Sequence, residues 1–307
     1  MRRRNPTLAI VFATFLAAGG VGLPIIAAAD VDAGLLALDA ADYEAAQENL
    51  RPAADVGDAT AQYHMGLIFD GGLGVAADPV EARSWFLKAA EQGHAESQRV
   101  LGIYREEGKI GVRDFAKAAE WYEKAARQDN AKAQRNLGTL YYKGKGVPRS
   151  HANAVHWFTM SAAAGNMKAK RNLAYSYYFG HGVPRNRDKA AALFKEAASA
   201  GYGKAQYDLG FVYYHGQGVE RDRAAAALWF LRAANQGHAA AQLFLGRLYA
   251  LGEGIDVDYE KAWFWLRLAE VQKSDASAYY QDQIRDRLTA KTRQEIDKRA
   301  SHWLPRG

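Results

Sequence analysis

Apolar and small side chains recur along this 307-residue chain at intervals of three and four residues, which is the spacing of one face of an α-helix. In one segment, for example, Ala205, Leu209, Val212 and Tyr213 fall on the same helical face. The pattern stops at Gly216, where a left-handed backbone conformation costs little only for glycine. The chain is therefore predicted to consist of short amphipathic helices joined by glycine-rich turns.

The whole pattern repeats every 36 residues without an insertion. A small residue in the first helix of each copy marks the period, at Gly66, Gly102, Gly138, Ala174, Gly210 and Gly246. A large apolar residue follows 19 positions later, at Trp85, Trp121, Trp157, Leu193, Trp229 and Trp265. A second glycine ends each first helix, at Gly72, Gly108, Gly144, Gly180, Gly216 and Gly252. Five of the seven tryptophans thus share one position, and a fixed period of this length is typical of stacked repeats.

Each copy is predicted to contain two antiparallel helices. Residues that favour helix N-caps precede the second helix, at Asp78, Asp114, Ser150, Asn186, Asp222 and Asp258. The tryptophans are expected to fill the space between neighbouring hairpins, and a single hairpin cannot bury them alone, so hairpins must stack. We predict an all-α fold, a right-handed superhelical solenoid of antiparallel helix pairs with about six repeats of 36 residues and a cap at each end.

Residues 1–29 have the composition of an export signal. Three arginines, Arg2 to Arg4, precede an apolar run from Leu8 to Ala18, and the segment ends in three alanines, the last of them Ala29. This order is typical of a cleaved secretory signal peptide, so we expect cleavage after Ala29 and a periplasmic or secreted protein. The alternative is an uncleaved membrane anchor, because Leu8 to Ala29 is long enough to span a bilayer.

The remaining chain divides into three parts. Residues 59–274 hold the six repeats, residues 30–58 are predicted to be an N-terminal capping half-repeat, and residues 275–307 are predicted to be C-terminal capping helices. The last part alternates apolar residues with charged ones, as the polar outer face of a solenoid cap requires. A charged tail that binds a partner is the alternative interpretation of residues 275–307.

Composition narrows the range of partners. Three of the 40 basic residues are Arg2, Arg3 and Arg4, which leaves 37 basic and 34 acidic residues in the rest of the chain. This balance is too even for a nucleic-acid partner, because phosphate binding needs a concentrated basic surface. The absence of cysteine excludes disulfides, thiolate metal sites and cysteine nucleophiles. After signal cleavage we expect no stable insertion into a membrane.

Sequence motifs for catalysis or metal binding are not found. The eight histidines include no His-Glu-x-x-His pair of the kind that holds zinc on a helix. The glycine-rich segments follow predicted helices and recur in most repeats, so they are interpreted as turns and not as phosphate-binding loops. No Gly-x-Ser-x-Gly nucleophile motif occurs either. We therefore expect a non-enzymatic protein without a metal or another cofactor.

The fifth copy closely resembles the Sel1-like repeat, a tetratricopeptide-related class with a longer turn between its helices. The resemblance is carried by Ala205-Gln206-Tyr207-Asp208-Leu209-Gly210, Tyr213, Gly216-Gln217-Gly218-Val219, Asp222, Ala226 and Trp229-Phe230. The second copy departs from it because the second turn glycine, Gly111, is displaced by one, and the fourth copy departs at Ala174 and Leu193. Resemblance to exported bacterial Sel1-like proteins implies an adaptor role in envelope signalling, polysaccharide systems or host interaction.

Two ladders of equivalent residues on the first helices are candidate partner-binding positions. They are Arg99, Arg135 and Arg171 in one column, and Tyr142, Tyr178 and Tyr214 in another. First helices line the concave side of such a solenoid, so the ladders would form a groove of tyrosines edged by arginines, suited to an acidic or amphipathic protein segment or to sugar rings. The alternative is that the tyrosines pack on the next repeat and the arginine stems cover apolar surface.

The predicted function is a protein–protein interaction adaptor or scaffold of the bacterial cell envelope, acting on a signalling or secretion system. Its partner is expected to be a protein, with a polysaccharide as the second candidate. Two alternatives stay open: a scaffold for exopolysaccharide synthesis or export, and a cell-wall or β-lactam hydrolase. The hydrolase is disfavoured because such relatives typically staple each repeat with a cysteine pair, and this chain has neither cysteine nor a Ser-x-x-Lys motif.

Overall fold

The computed structural model describes residues 27–271 and 275–305 of the protein. Within these residues the chain forms 16 α-helices, one short 3₁₀ helix and no β-strand. Residues 1–26, which hold most of the predicted signal peptide, lie outside the described residues, so the signal and its cleavage site stay a prediction. The division of the chain into caps and repeats likewise stays a prediction.

The helices are short and nearly equal in length. They are α1 (Ala27–Asp39), α2 (Tyr43–Asp55), α3 (Ala59–Gly71), α4 (Pro79–Glu91), α5 (Ala95–Glu107), α6 (Phe115–Ala126), α7 (Ala131–Lys143), α8 (His151–Ala163), α9 (Met167–Phe179), α10 (Arg187–Ser199), α11 (Gly203–His215), α12 (Arg223–Asn235), α13 (Ala239–Leu251), α14 (Tyr259–Val271), α15 (Asp275–Ile284) and α16 (Ala290–Ser301). Consecutive helices from α1 to α14 pack against each other, and α15 and α16 both pack on α14. The predicted all-α solenoid of helix pairs is confirmed.

The first helices end as the sequence predicts. Their C-terminal glycines, from Gly72 to Gly252, have φ angles between 64° and 79°, a left-handed conformation that other residues adopt only at a cost. The second helices begin at the expected N-caps. The side chain of Asp222, for example, accepts a hydrogen bond from the backbone N–H of Ala225 at 2.9 Å.

A further glycine in each turn holds neighbouring repeats together. At Gly146 and Gly218 a β-carbon would lie 2.2 Å and 2.1 Å from backbone atoms of Phe115 and Arg187, at the start of the preceding second helix. Only glycine permits such a close approach between two backbones. In the second repeat the displaced Gly111 would have no atom within 4 Å of an added β-carbon, so the close backbone contact is lost there. The helices on either side of this turn, α5 and α6, still form.

The centre of each helix pair is filled by the residue after the tryptophan column, whereas the tryptophans lie between neighbouring pairs, as the sequence predicts. Trp121 of α6, for example, packs against the cluster that contains Phe86 of α4 and Leu101 of α5. Trp85 and Trp265 are buried, but the other tryptophans of the column are only half-buried. The next residue is at most 2% exposed in every repeat, at Phe86, Tyr122, Phe158, Phe194, Phe230 and Leu266. In five repeats these side chains lie against the first-helix glycine, whose missing β-carbon makes room for them. In the fourth repeat Phe194 shares its cluster with Ala174 instead.

A buried amide ladder links one repeat to the next. The Gln98 side chain donates to the carbonyl of Ala90 at 3.0 Å and accepts from the Gln128 amide at 2.8 Å. Equivalent paired amides join Gln62 to Gln92 and Gln206 to Gln236. The ladder is interrupted in the middle of the solenoid. The residue that would pair with Gln134 is Ala164, which has no amide. In the fourth repeat the first-helix glutamine of the pair is replaced by Lys170.

Both ends of the solenoid are covered by helices. Residues 30–58, the predicted N-terminal cap, contain the whole of α2 and most of α1. Leu50 of α2 is fully buried in a cluster with Met65 and Ile68 of the first repeat. At the other end, Ile284 and Ile296 are buried against α14.

Candidate binding groove

Three cavities lie at successive repeat junctions on the side of the solenoid formed by the first helices. Cavity A, of about 390 Å³, lies between α5 and α7. Cavity B, of about 380 Å³, lies between α7 and α9, and cavity C, of about 350 Å³, lies between α9 and α11. We call the three cavities together the groove. A cavity of this size accommodates one or two amino-acid side chains, so the groove is suited to part of a larger ligand.

The three ladder arginines differ in their partners. Arg99 is paired with Glu96 of its own helix at 2.9 Å. Arg171 is held by both carboxylate oxygens of Asp208 on α11, and Asp208 also accepts a hydrogen bond from the Tyr175 hydroxyl at 2.7 Å. Burial disfavours the charge on Arg171, but the Asp208 carboxylate outweighs it and raises the pKa of the guanidinium. The charges of Arg99 and Arg171 are therefore both neutralised by carboxylates of the protein itself.

Arg135 is the ladder arginine that stays free. Its guanidinium makes no hydrogen bond or ion pair with any residue that the structure describes, and its side chain lines both cavity A and cavity B. Burial lowers the pKa of Arg135, but an arginine stays protonated at neutral pH. The groove thus contains a half-buried guanidinium that no carboxylate of the described residues contacts.

The three ladder tyrosines also differ, because two of them line the cavities and the third is buried. Tyr142 lines cavity B and is hydrogen-bonded through its hydroxyl to His181 Nδ1 at 2.9 Å, and Tyr178 lines cavity C. Tyr214 is 7% exposed, and its hydroxyl donates to Glu253 at 2.5 Å and accepts from Arg247 at 2.9 Å. Tyr142 and Tyr178 therefore belong to the groove, whereas Tyr214 packs on the next repeat, which was the alternative interpretation of the ladder.

Several groove residues were missed in the sequence. Phe179 lines cavities B and C and is 53% exposed, and Tyr175, Tyr207 and Phe211 complete the aromatic wall of cavity C. The Phe179 and Tyr175 rings are stacked, with an interplanar angle of 5° and centroids 5.9 Å apart. The sequence did contain an indication that Phe179 is exposed. The equivalent positions of the two preceding repeats hold the charged residues Glu107 and Lys143.

Two asparagines on the floor of the groove also lack partners. Asn136 is 8% exposed and lines cavity A, and its equivalent one repeat later, Asn172, lines cavity B. Neither side-chain amide forms a hydrogen bond with another group in residues 27–271 or 275–305. Asn136 is buried and Asn172 is partly buried, and an amide without a protein partner at the wall of a cavity offers a donor and an acceptor to a polar ligand atom or to water.

Other kinds of site are not apparent in the described part of the chain. Within residues 27–271 and 275–305, no group of three or more His, Asp or Glu side chains is placed to hold a metal ion. No helix in the same residues combines the length and the apolar composition that crossing a bilayer requires.

Comparison with known protein families agrees with this architecture. The model of the Sel1 repeat matches residues 59–94, 95–130, 131–166, 168–202, 203–238 and 239–270. The chain belongs to the Sel1 repeat family. Sel1 repeats generally form non-catalytic scaffolds for protein interaction, and no catalytic family is indicated for this chain.

Two solved structures are similar to this Sel1 repeat protein. One is c5321, a protective antigen of uropathogenic Escherichia coli strains with an SLR fold, at 32% identity and a TM-score of 0.81; the match covers 88% of this chain and 60% of the antigen. This chain thus spans three fifths of the antigen's length. The other is a Sel1 repeat protein from Oxalobacter formigenes, at 32% identity and a TM-score of 0.74, covering 80% of this chain and 98% of that one. Comparison with curated proteins finds no match.

Proposed function

We propose that this protein is an adaptor that binds a segment of a partner protein in the groove. The observation that carries the proposal is the aromatic wall of cavities B and C, where Phe179 presents 53% of its surface to solvent beside Tyr175 and Tyr178. Clustered aromatic residues around a surface cavity are typical of the centres of protein interfaces. The general role of Sel1 repeats as interaction scaffolds supports the same function.

We further propose that the adaptor acts in the bacterial cell envelope, on a signalling or secretion system. The support is the composition of residues 1–29, which resembles a cleaved export signal. The test is fractionation of cells that produce the full chain, followed by mass spectrometry of the purified protein. Export predicts a mature protein that begins at Asp30 and is periplasmic or secreted. An intact N-terminus in the cytoplasmic fraction would refute this part of the proposal.

Photocrosslinking from the groove tests partner binding directly. We would replace Phe179 with benzoylphenylalanine in intact bacterial cells and identify the adducts by mass spectrometry. The matched control places the same group at Leu228, which is 62% exposed on the second helix α12. The proposal predicts a discrete protein adduct from position 179 and none of the same mass from position 228. Equal adducts from both positions, or none from position 179, would contradict it.

A polysaccharide is the second candidate ligand, in keeping with a scaffold for exopolysaccharide synthesis or export. The specific observation in its favour is the parallel stack of Phe179 on Tyr175, because sugar rings bind to flat, exposed aromatic faces. Binding of purified protein to envelope polysaccharides, measured by calorimetry, separates the two candidates. Saturable polysaccharide binding that Phe179→Ala abolishes would favour the glycan, provided that no protein adduct forms from position 179.

A further inference from the structure

Arg135 is the one ladder arginine without a carboxylate partner among the described residues, whereas the equivalent arginines of the neighbouring repeats are neutralised. Arg99 and Arg171 lie one repeat before and one repeat after Arg135, and each has a carboxylate partner. Arg135 has none among the residues described, although it is half-buried. An unpaired, partly desolvated guanidinium is costly, and it binds a carboxylate strongly because two parallel hydrogen bonds can form.

The acidic groups nearest to Arg135 form no ion pair with it. Glu106 and Glu107 line cavity A, and Glu106, which accepts a hydrogen bond at 2.7 Å from the Tyr122 hydroxyl, attracts the Arg135 charge only from beyond ion-pair distance. Three further cations surround the same part of the groove: Arg113 and Lys145 line cavity A, and Lys143 lines cavity B. Cavity B contains no acidic residue in its lining, so its local charge is positive.

The apolar and the polar parts of the groove are contiguous. Cavity B is lined by Arg135 on one side and by Tyr175 and Phe179 on the other, and the same two rings continue into cavity C. The only charged residue lining cavity C, Asp208, is 4% exposed and already bound to Arg171 and Tyr175. Cavity C is therefore suited to an apolar group, and cavity B can hold an anionic group beside it.

We propose that the groove binds an extended peptide segment in which a carboxylate side chain lies next to a large apolar side chain. The carboxylate pairs with Arg135, the apolar side chain occupies cavity C, and the side-chain amides of Asn136 and Asn172 bond to the peptide main chain. Amide side chains of asparagine offer both a donor and an acceptor, which matches a peptide unit. This inference rests on the proposed function and adds to it the chemistry of the partner segment.

A peptide fits these groups better than an acidic polysaccharide does. A long polyanion repeats its charge at every few sugar units, so it would require free cations along the whole ladder. Two of the three ladder arginines are neutralised, and cavity C offers no free charged group to sugar hydroxyls. One carboxylate beside one apolar side chain matches the positively charged cavity B and the adjoining cavity C, whose only charged residue is already paired.

Selection from a peptide library tests the inference on the full chain. A random twelve-residue phage-displayed library is selected on the immobilised protein, and the enriched sequences are synthesised with a fluorescent label for polarisation measurements. The inference predicts that enriched peptides carry Asp or Glu within two residues of Phe, Trp, Tyr, Leu or Met. Enriched peptides without an acidic residue would overturn it, and so would the absence of any enrichment.

Variants of the ladder connect the selected peptides to Arg135. Arg135→Gln should weaken binding about tenfold or more, since truncating one partner of a desolvated charge pair costs that much affinity. The matched control, Arg99→Gln, lies in the same column but off the three cavities, and it should bind as the unchanged protein does. Thermal unfolding of Arg135→Gln should be unchanged, which shows that lost binding is not lost folding. Binding insensitive to Arg135→Gln would overturn the inference.

Charge reversal distinguishes the two proposals. Arg135→Glu should bind a peptide whose acidic residue is replaced by lysine better than it binds the selected peptide. If selected peptides bind in the groove, as loss of binding in Phe179→Ala would show, but prefer no acidic residue, the adaptor function stands and the inference fails. If photocrosslinking from position 179 gives no protein adduct, the adaptor function itself fails.

Discussion

Gly102 of α5 lies directly against the ring of Tyr122 in α6, so closely that a β-carbon at Gly102 would be 2.4 Å from the ring carbon Cε1. The same relationship joins Gly66 to Phe86 and Gly210 to Phe230 in other repeats. The ring occupies the space that a side chain would need, and it is fully buried at Tyr122. In the pairs that have glycine at this position, the close contact between the two helices therefore depends on the absence of a single methyl group; the fourth pair has Ala174 there.

Gly102→Ala should lower the free energy of unfolding by about 1–3 kcal/mol, because the added methyl group overpacks a filled core. Urea denaturation followed by circular dichroism measures the change. The control is Gly71→Ala, near the exposed end of α3, where the nearest atoms belong to the Leu73 side chain. That variant should be neutral or slightly stabilising, since alanine favours helix over glycine. Equal effects of the two substitutions would contradict the packing account.

Ala164→Gln should stabilise the protein by restoring the interrupted amide ladder. The buried Oε1 of Gln134 has no hydrogen-bond partner in the part of the chain described, and position 164 is equivalent to Gln92, Gln128 and Gln236. A new hydrogen bond to this oxygen should add about 0.5–1.5 kcal/mol to the free energy of unfolding. Ala200→Gln is the control, because the residue it would face is Lys170 and not a glutamine. A gain of the same size at position 200 would refute the explanation.

Histidine caps should make the stability depend on pH. Nδ1 of His94 accepts from the backbone N–H of Ser97 at 3.3 Å, and Nδ1 of His238 accepts from that of Ala241 at 3.3 Å, so both caps need a neutral imidazole. Burial lowers the pKa of both histidines from the ordinary value of 6.5, and the unfolded chain therefore binds protons first as the pH falls. Their contribution is complete above pH 6.5 and declines as the pH falls below it.

The double variant His94→Asn, His238→Asn tests this dependence. Asparagine already caps α7 and α9 at Asn130 and Asn166, so the caps are kept without a titrating group. Between pH 7.5 and 5.5 the variant should lose less free energy of unfolding than the unchanged protein, as measured by urea titrations at both values. His151 and His215 also have lowered pKa values and remain in both proteins, so their contributions cancel. The pKa of His64 is lowered by burial and by the charge of His94, so the difference reports the two caps together with this coupling.

Replacing Arg171 should lower the stability of the protein, whereas replacing Arg135 should weaken partner binding. Asp208 is 4% exposed, and Arg171→Gln would leave its carboxylate buried without its cation, which should cost about 3–5 kcal/mol of stability. Arg135→Gln breaks no bond within residues that the structure describes and should leave unfolding nearly unchanged. Differential scanning calorimetry of both variants checks the contrast. Combined with Tyr178→Ala, Arg135→Gln should also weaken partner capture while the melting temperature stays close to that of the unchanged protein.

Much of the fold could be predicted from local chemistry. The glycines that end the first helices, the N-caps such as Asp222 and the repeat period act within a few residues of the chain. The position of the core could not be predicted as well. Trp229 and Phe230 are adjacent and both aromatic, and it is their contacts in the folded chain that distinguish them: Phe230 is fully buried, and Trp229 is half-buried between neighbouring pairs. The candidate groove was located in part, since Arg135, Tyr142 and Tyr178 line it and Phe179 was overlooked.

The amino-acid order alone specified helix ends, helix length and the stacking of equal units, because these follow from backbone preferences and from a period that recurs in every copy. The pairing of Arg99 could also be predicted, because Glu96 lies three residues before it on the same helix. The sequence could not distinguish Arg135 from Arg171, because the partner of Arg171, Asp208, lies 37 positions away in the next repeat. Whether a charge is neutralised or free depends on which side chains the stacked repeats bring within bonding distance, and that is a property of the tertiary structure.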